Sequence, residues 1–483
     1  MARRHKKRTG TNFIILSAFV LVIMIVVVAG LPFAFRNGFN TNPFLKTNSL
    51  FYYCGMAVSE QQYNLLNSTG FYQFEGNPCH EYYMNGTVGT FNITLDAGID
   101  GPVTLYNNVL LVPLENPTYN YSPPSYYPPD MSMMWGGLAS VNATTGAVIW
   151  EDRFNDSVMT QPLVINGIAY VGSGDDYVNP NVTQNGVFAV NISDGQIVWN
   201  MSTIAENMPT FVYYNNSIIK VGGWSPKGVD TKYVQALDPL TGDLKWQVNV
   251  SAFSAMSSPV LVGNTIYFGE DSYRLSNRSS GVIYAVNLDT HEIVWSRRFP
   301  KLTDRATQDS TATIWNNTLV DGYAYTYNRT APSQNRTINL TLVGVDLTNG
   351  SIKWKFNEGV GDNTPRSVLP AMTAYNGIVF SDTTEIGWLY ALNISTGTPL
   401  WKFYTGPSLP NPQIIDGYVF AENQSGTVFI LKMDGTLYKK INLGTPEDWC
   451  GSAEIAQIGD KVVFGGENGR LMVIPISNLL GSG

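Results

Sequence analysis

Asp309 is the side chain in this sequence with a setting for proton transfer. Asp304 and Arg305 precede it by a few residues, and Arg366 stands at the start of the following repeated unit. A carboxylate flanked by guanidinium groups can receive an anionic substrate and move a proton, and the same charges can equally form a structural salt bridge. Asp100 holds the position of Asp309 in an earlier unit, Met159, Met208 and Met256 hold it in three others, and Leu369 and Leu409 in two more. Each of the seven lies seven residues before a predicted hairpin turn. With eight units in a ring, Asp100 and Asp309 would face each other across the axis as candidate catalytic groups, with the methionines, Arg305, Arg366 and Trp449 as candidate binding groups. Thioether sulfur suits Cu(I), but three methionines without Cys or His make a poor copper site, and flexible Met and Leu side chains would also simply fill a channel. Trp449, after Glu447 and Asp448, offers an aromatic wall or plain packing. Of three histidines, His5 is in the basic tail and His291 in a repeat turn, which leaves only His80. Cys54, Cys79 and Cys450 lack metal-ligand spacing, so neither a triad nor a metal centre is expected.

A repeat sets these positions. Residues 391–401 read Ala-Leu-Asn-Ile-Ser-Thr-Gly-Thr-Pro-Leu-Trp, and related copies end at Trp150, Trp199, Trp246, Trp295 and Trp354. Each copy supplies small or apolar residues for burial, an Asn or Asp to cap a turn, a Gly for positive φ (His291 in one copy), and a strand ending in Trp. One indole per unit can dock on the neighbouring unit through its N–H. The tryptophans are 49, 47, 49, 59 and 47 residues apart, the period of a four-stranded propeller blade. Hairpin turns at Asn107-Asn108, Asn166-Gly167, Asn215-Asn216, Gly263-Asn264, Asn316-Asn317, Asn376-Gly377, Asp416-Gly417 and Gly459-Asp460 make eight units. Unit seven has Tyr438 in place of Trp. Unit eight lacks its fourth strand, which residues 90–95 are expected to supply, closing the ring and removing its edges. The reading is all-β: an eight-bladed β-propeller preceded by one transmembrane helix.

The pattern Ala-x-Asp/Asn-x-x-Thr-Gly-x-x-x-Trp resembles the tryptophan-docking motif of the quinoprotein-type, PQQ-like propellers, and it covers roughly residues 86 to 475. That family includes pyrroloquinoline quinone dehydrogenases, non-enzymatic outer-membrane assembly lipoproteins and tetrathionate hydrolases of acidophiles, so the resemblance implies the fold and leaves function open. The dehydrogenases carry adjacent cysteines over pyrroloquinoline quinone. This chain has no such pair, and no cofactor is expected.

The first ten residues hold Arg3, Arg4, Lys6, Lys7 and Arg8, and residues 13–35 carry no charge. This reads as a cytoplasmic tail (1–12), a membrane anchor (13–35), a Tyr/Asn-rich extracellular extension (36–85), the propeller (86–476) and a short tail (477–483). A cleaved signal peptide is the alternative. Nineteen Asn-x-Ser/Thr sequons, among them Asn67, Asn85, Asn92, Asn120, Asn181, Asn277, Asn328, Asn335, Asn339 and Asn423, suggest an extracellular glycoprotein, archaeal in character, although several belong to the repeat itself. Net charge −8 and pI near 5.0 argue against nucleic acid. Scarce Lys suits an acid habitat. A Cys54–Cys79 disulfide would staple the extension, leaving Cys450 unpaired. Long segments at 113–136, 173–185, 222–232, 270–281 and 325–339 fall on one face, where a protein or glycan partner could bind. The expected function is a surface binding or scaffold module, with a tetrathionate-hydrolase-like enzyme as the alternative and a quinoprotein dehydrogenase disfavoured. If residues 90–95 close the ring, a truncation ending at residue 96 should lose cooperative unfolding in a thermal melt, and one ending at 85 should keep it.

Overall fold

The computed structural model describes residues 44–47, 50–58, 73–117, 135–154, 156–174, 185–203, 205–223, 232–251, 257–270, 281–299, 311–327, 337–362, 370–383, 387–408, 410–444 and 453–481. The apolar run 13–35 lies outside them, and among the described residues no helix is long and apolar enough to cross a membrane.

A three-stranded antiparallel sheet, Phe44–Thr47, Leu50–Tyr53 and Met56–Val58, precedes eight blades, and in blades 2 to 7 each strand pairs antiparallel with the next in sequence. Blade 2 shows the unit: inner strand Leu163–Ile165, then Ile168–Gly172, Asn185–Asn191 and outer strand Ile197–Thr203. Its inner hairpin turns on Asn166 and Gly167, both at positive φ, as a tight type I′ turn requires. The outer turn is built by a side chain: in blade 6 the Asn393 Oδ1 accepts the N–H groups of Ser395 and Thr396 at 3.0 and 3.1 Å. Gly397 then takes φ +69.

The turn glycine has a second role. A Cβ on Gly397 would sit 2.5 Å from the Trp354 indole of the preceding blade, and one on Gly195, Gly242, Gly350 or Gly435 would sit 2.5–3.0 Å from Trp150, Trp199, Trp295 or Trp401. Each of those five indoles donates its N–H to a carbonyl of the next blade: Ile192, Pro239, Leu347, Ile394 and Met433, at 2.8–3.0 Å. Where the turn has His291 in place of glycine, that imidazole stacks on Trp246 at 4.3 Å between ring centroids.

The ring closes as expected. Phe91–Thr94 pairs antiparallel with Arg470–Val473, so the strand from the far end of the chain completes blade 8. Phe91 takes the place of the docking tryptophan and lies over Gly146 of blade 1. Blade 8 has no outer turn of its own to receive blade 7, and the helix Ile476–Leu480 substitutes, accepting the Tyr438 hydroxyl at the Leu480 carbonyl. The prediction here is on the shared glycine: Gly397→Ala should cost about 1–3 kcal/mol in chemical denaturation, since it meets both an indole and a left-handed φ. Gly377→Ala, at φ +79 with nothing within 4 Å of its Cβ, should cost less.

Candidate functional site

The axis of the ring is occupied by the chain itself. Residues 73–84, part of the segment read above as a free extension, run past the inner strands of seven blades. Gln73 exchanges two hydrogen bonds with Leu261 of blade 4. The Ile314 N–H of blade 5 donates to the Pro78 carbonyl at 2.7 Å, and Ala374 of blade 6 to Cys79 at 2.8 Å. The Tyr82 hydroxyl donates to Val103 of blade 1, and Tyr83–Met84 adds a parallel strand to Gln457-Ile458 of blade 8. The Cys54–Cys79 disulfide forms as expected, and Cys54 in turn accepts the Asn316 N–H through its carbonyl.

Around this plug, the approaches to the inner strands are tied together by a ring of polar side chains. The Gln161 N–H donates to Thr210 Oγ1, Thr210 N–H to Ser258 Oγ and Ser258 N–H to Thr311 Oγ1, at 2.9–3.1 Å. On the other side Met372 N–H donates to Asn411 Oδ1 at 2.9 Å and Asn411 N–H to Glu454 Oε2 at 2.5 Å. These residues, Met372 apart, stand five before each hairpin turn, a row that the reading of the sequence passed over in favour of the row seven before.

Glu75 enters that ring from the plug. It is fully buried; its oxygens accept Asn411 Nδ2 at 3.1 Å and Gln413 Nε2 at 3.2 Å, and its N–H donates to Gln161 Oε1 at 2.6 Å. Burial pushes the Glu75 carboxyl well above its ordinary range, and the neighbouring Glu454 pushes it further. Glu454 is raised by burial to about 8. Five more carboxyls are raised strongly, burial being the main cause in each: Glu81 well above the usual range, Glu358 to about 8, Asp382 and Glu115 to about 7, and Asp156 to about 6. None of the ion pairs among the described residues includes any of these seven. A buried carboxyl without a cation stays protonated to higher pH, and that is how this chain keeps them neutral.

Of the candidate residues, Asp304, Arg305, Asp309, Arg366, Met256, Leu369, Leu409, Trp449 and Cys450 lie outside the described residues, as do sequons Asn67, Asn120, Asn181, Asn277, Asn328 and Asn335. Asp100 is half-buried and hydrogen-bonds Glu115, which Glu467 also faces. It therefore sits in an acidic group. Met159 is half-buried and Met208 is buried. Among the sequons, Asn85 and Asn92 are exposed, whereas Asn339 is buried and Asn423 donates its amide to the Thr405 carbonyl at 2.7 Å. A glycan on either of the last two would have to displace native packing or that bond.

The family model described as "Outer membrane protein assembly factor BamB" matches residues 133–302 and 279–478. A tetrathionate hydrolase of Acidithiobacillus ferrooxidans is 25% identical over 286 residues, 55% of this chain and 53% of that protein. The chain thus spans about half the length of that relative. An outer membrane protein assembly factor BamB of Shewanella oneidensis is 21% identical over 310 residues, 62% of this chain and 67% of that one. The crystal structure of BamB from Moraxella catarrhalis superposes with a TM-score of 0.55 at 16% identity, covering 80% of this chain and all of that one.

The carboxyls fix the sign of the pH dependence. Their folded values lie above the ordinary 4.5 or 3.8, so the native state holds protons that the unfolded chain gives up; the stability they contribute is complete in acid and is lost as pH rises through 6 to 8. His80, lowered by burial to about 4, runs the other way, its contribution being lost as pH falls from 6.5 toward 4. With seven groups against one, the thermal midpoint should be higher at pH 5 than at pH 8, by at least about 5 °C. Glu454→Gln should flatten that difference, and a midpoint that rises with pH would contradict the assignment.

Proposed function

The chain belongs to the PQQ-like propeller family whose model is described as outer membrane protein assembly factor BamB, and from that premise we propose that it is a binding module. In this reading a rigid ring, held at the outer face of a membrane by residues 13–35, presents its loop face to a protein or glycan partner. The observation that carries it is the asymmetry of that face. In blade 5 the strands Thr318–Tyr327, Thr337–Asp346 and Ile352–Asp362 are 10, 10 and 11 residues long, against 5 and 7 for the corresponding strands of blade 2. The ladder of blade 5 runs unbroken to Tyr327 opposite Thr337. Five extra residues carry a strand about 16 Å further at the usual rise. Blade 1, opposite in an eight-membered ring, also has a long second strand, Val109–Pro117. A plugged axis flanked by two tall blades suits a partner that lies across the face. Similarity to proteins named as assembly factors supports the same reading, and the Cys54–Cys79 disulfide supports an oxidising compartment outside the cytoplasm.

A second reading, an acid-active hydrolase of the tetrathionate hydrolase kind, is favoured by one observation: the seven carboxyls that the fold keeps protonated. Asp309 remains its candidate proton-transfer group. A resident quinone belongs to neither reading. Pyrroloquinoline quinone is a tricarboxylate, and the described residues on the axis offer it Glu75 and Glu454 with amides and no cation, so they do not fit it.

The test uses the full chain in detergent. Replacing residues 326–338 by a two-residue Asn-Gly turn, which keeps buried Asn339 and Leu340 in place, should weaken binding of its envelope partners about tenfold or more in quantitative crosslinking, with the thermal midpoint nearly unchanged. Equal binding by the trimmed protein sinks the module reading at this face. Tetrathionate turnover at pH 3–5 that Asp309→Asn abolishes would establish the second reading in its place.

A further inference from the structure

The plug is the element that the function above does not use, and its chemistry suggests what it does. Residues 73–84 are held in the channel by hydrogen bonds to seven blades, and at one point a carboxyl of the plug meets a carboxyl of the ring: Glu75 against Glu454. Asn411 binds both at once, giving its backbone N–H to Glu454 and its side-chain amide to Glu75. Every other group facing Glu75 is neutral near pH 7. Blade 7 gives the Gln413 amide, blade 2 gives Gln161, and the plug's own Tyr82 has its phenol pushed further up by burial and by both glutamates. Among the described residues no ion pair includes either carboxyl.

From this geometry we propose that Glu75 and Glu454 form a proton-operated latch, which holds residues 73–84 on the axis while the pair keeps a proton and releases them when both carboxyls ionise. The step is a single deprotonation. The shared proton leaves to solvent, no other bond changes, and two carboxylates remain side by side with donors only from three amide groups. Two like charges in contact in a water-poor site repel strongly. The ring also keeps protons, on Glu115, Asp156, Glu358 and Asp382, but its blades are joined besides by indole-to-carbonyl bonds and by the Phe91–Thr94 closure, whose groups do not titrate in this range. Local opening of a weakly held segment inside a stable fold is ordinary behaviour for proteins. The Cys54–Cys79 bond would keep the released segment tethered to its own chain near residue 54. A chain made at near-neutral pH and moved into acid would lock its channel on arrival.

Hydrogen exchange by mass spectrometry on the full chain tests this, with rates corrected for the intrinsic pH dependence of amide exchange. Peptides covering 73–84 should lose protection between pH 5 and pH 8.5 by at least about tenfold more than the blade strands Ile168–Gly172 and Val282–Asn287. In Glu454→Gln, that extra loss should vanish. Uniform loss across plug and blades would mean general alkaline destabilisation and overturn the latch, as would a plug equally protected at both pH values. If Glu454→Gln does not fold, Glu75→Gln removes the other half of the pair and the wild-type comparison still decides. Retention of the full pH response in a folded variant would also overturn it.

Discussion

A ring of eight blades leaves a hole on its axis, and everything distinctive here follows from how that hole is filled. Blades pack side by side through their faces, and the approaches to their inner strands bring backbone and polar side chains to the axis. Residues 73–84 fill it with a stretch half of whose side chains are buried hydrogen-bonding groups: Gln73, Glu75, Asn77, His80, Glu81 and Tyr82, each 5% exposed or less. Buried polar groups on one wall call for polar groups on the other. The plug therefore had to be polar, and a polar plug brings ionisable groups inside.

Those groups explain the unusual charge chemistry. Acidic residues outnumber basic ones 37 to 29 over the whole chain, and the seven raised carboxyls stand apart from the ion pairs, which are on the surface at turns such as Asp238–Lys245 and Asp346–Lys353. Surface pairs of that kind contribute little. A protein that works in acid has the simplest route to neutral buried carboxyls, since the solvent supplies the proton. The same design penalises the fold at higher pH, and it does so most sharply at Glu75 and Glu454, where two such groups meet.

The repeated features were legible because repetition exposes them. Asn393, Gly397 and Trp401 recur with constant spacing, and the missing outer strand of blade 8 pointed directly to residues 90–95. The double duty of the turn glycine, φ and indole contact together, was half legible: the φ was foreseen and the contact was not. The plug was hidden for the opposite reason. Asn77-Pro78-Cys79-His80-Glu81-Tyr82 occurs once, alternates with no period, and hydrogen-bonds residues as distant in sequence as Gln457. A signal for its socket did exist: Gln161, Thr210, Ser258, Thr311, Asn411 and Glu454 form a polar column in the aligned repeats. The column of Asp100, Met159 and Met208, two residues earlier, drew attention instead because its side chains had more familiar chemistry.

The central claim is that the native protein carries protons on buried carboxyls that the unfolded chain has lost. Proton release on unfolding measures this directly. A weakly buffered solution at pH 6.0 is brought to denaturing urea in a pH-stat, against a blank, and the base needed to hold the pH is counted. At that pH the unfolded carboxyls are ionised, and His80 takes up less than one proton, so the account predicts net release of several protons per chain. No release, or net uptake, would contradict it.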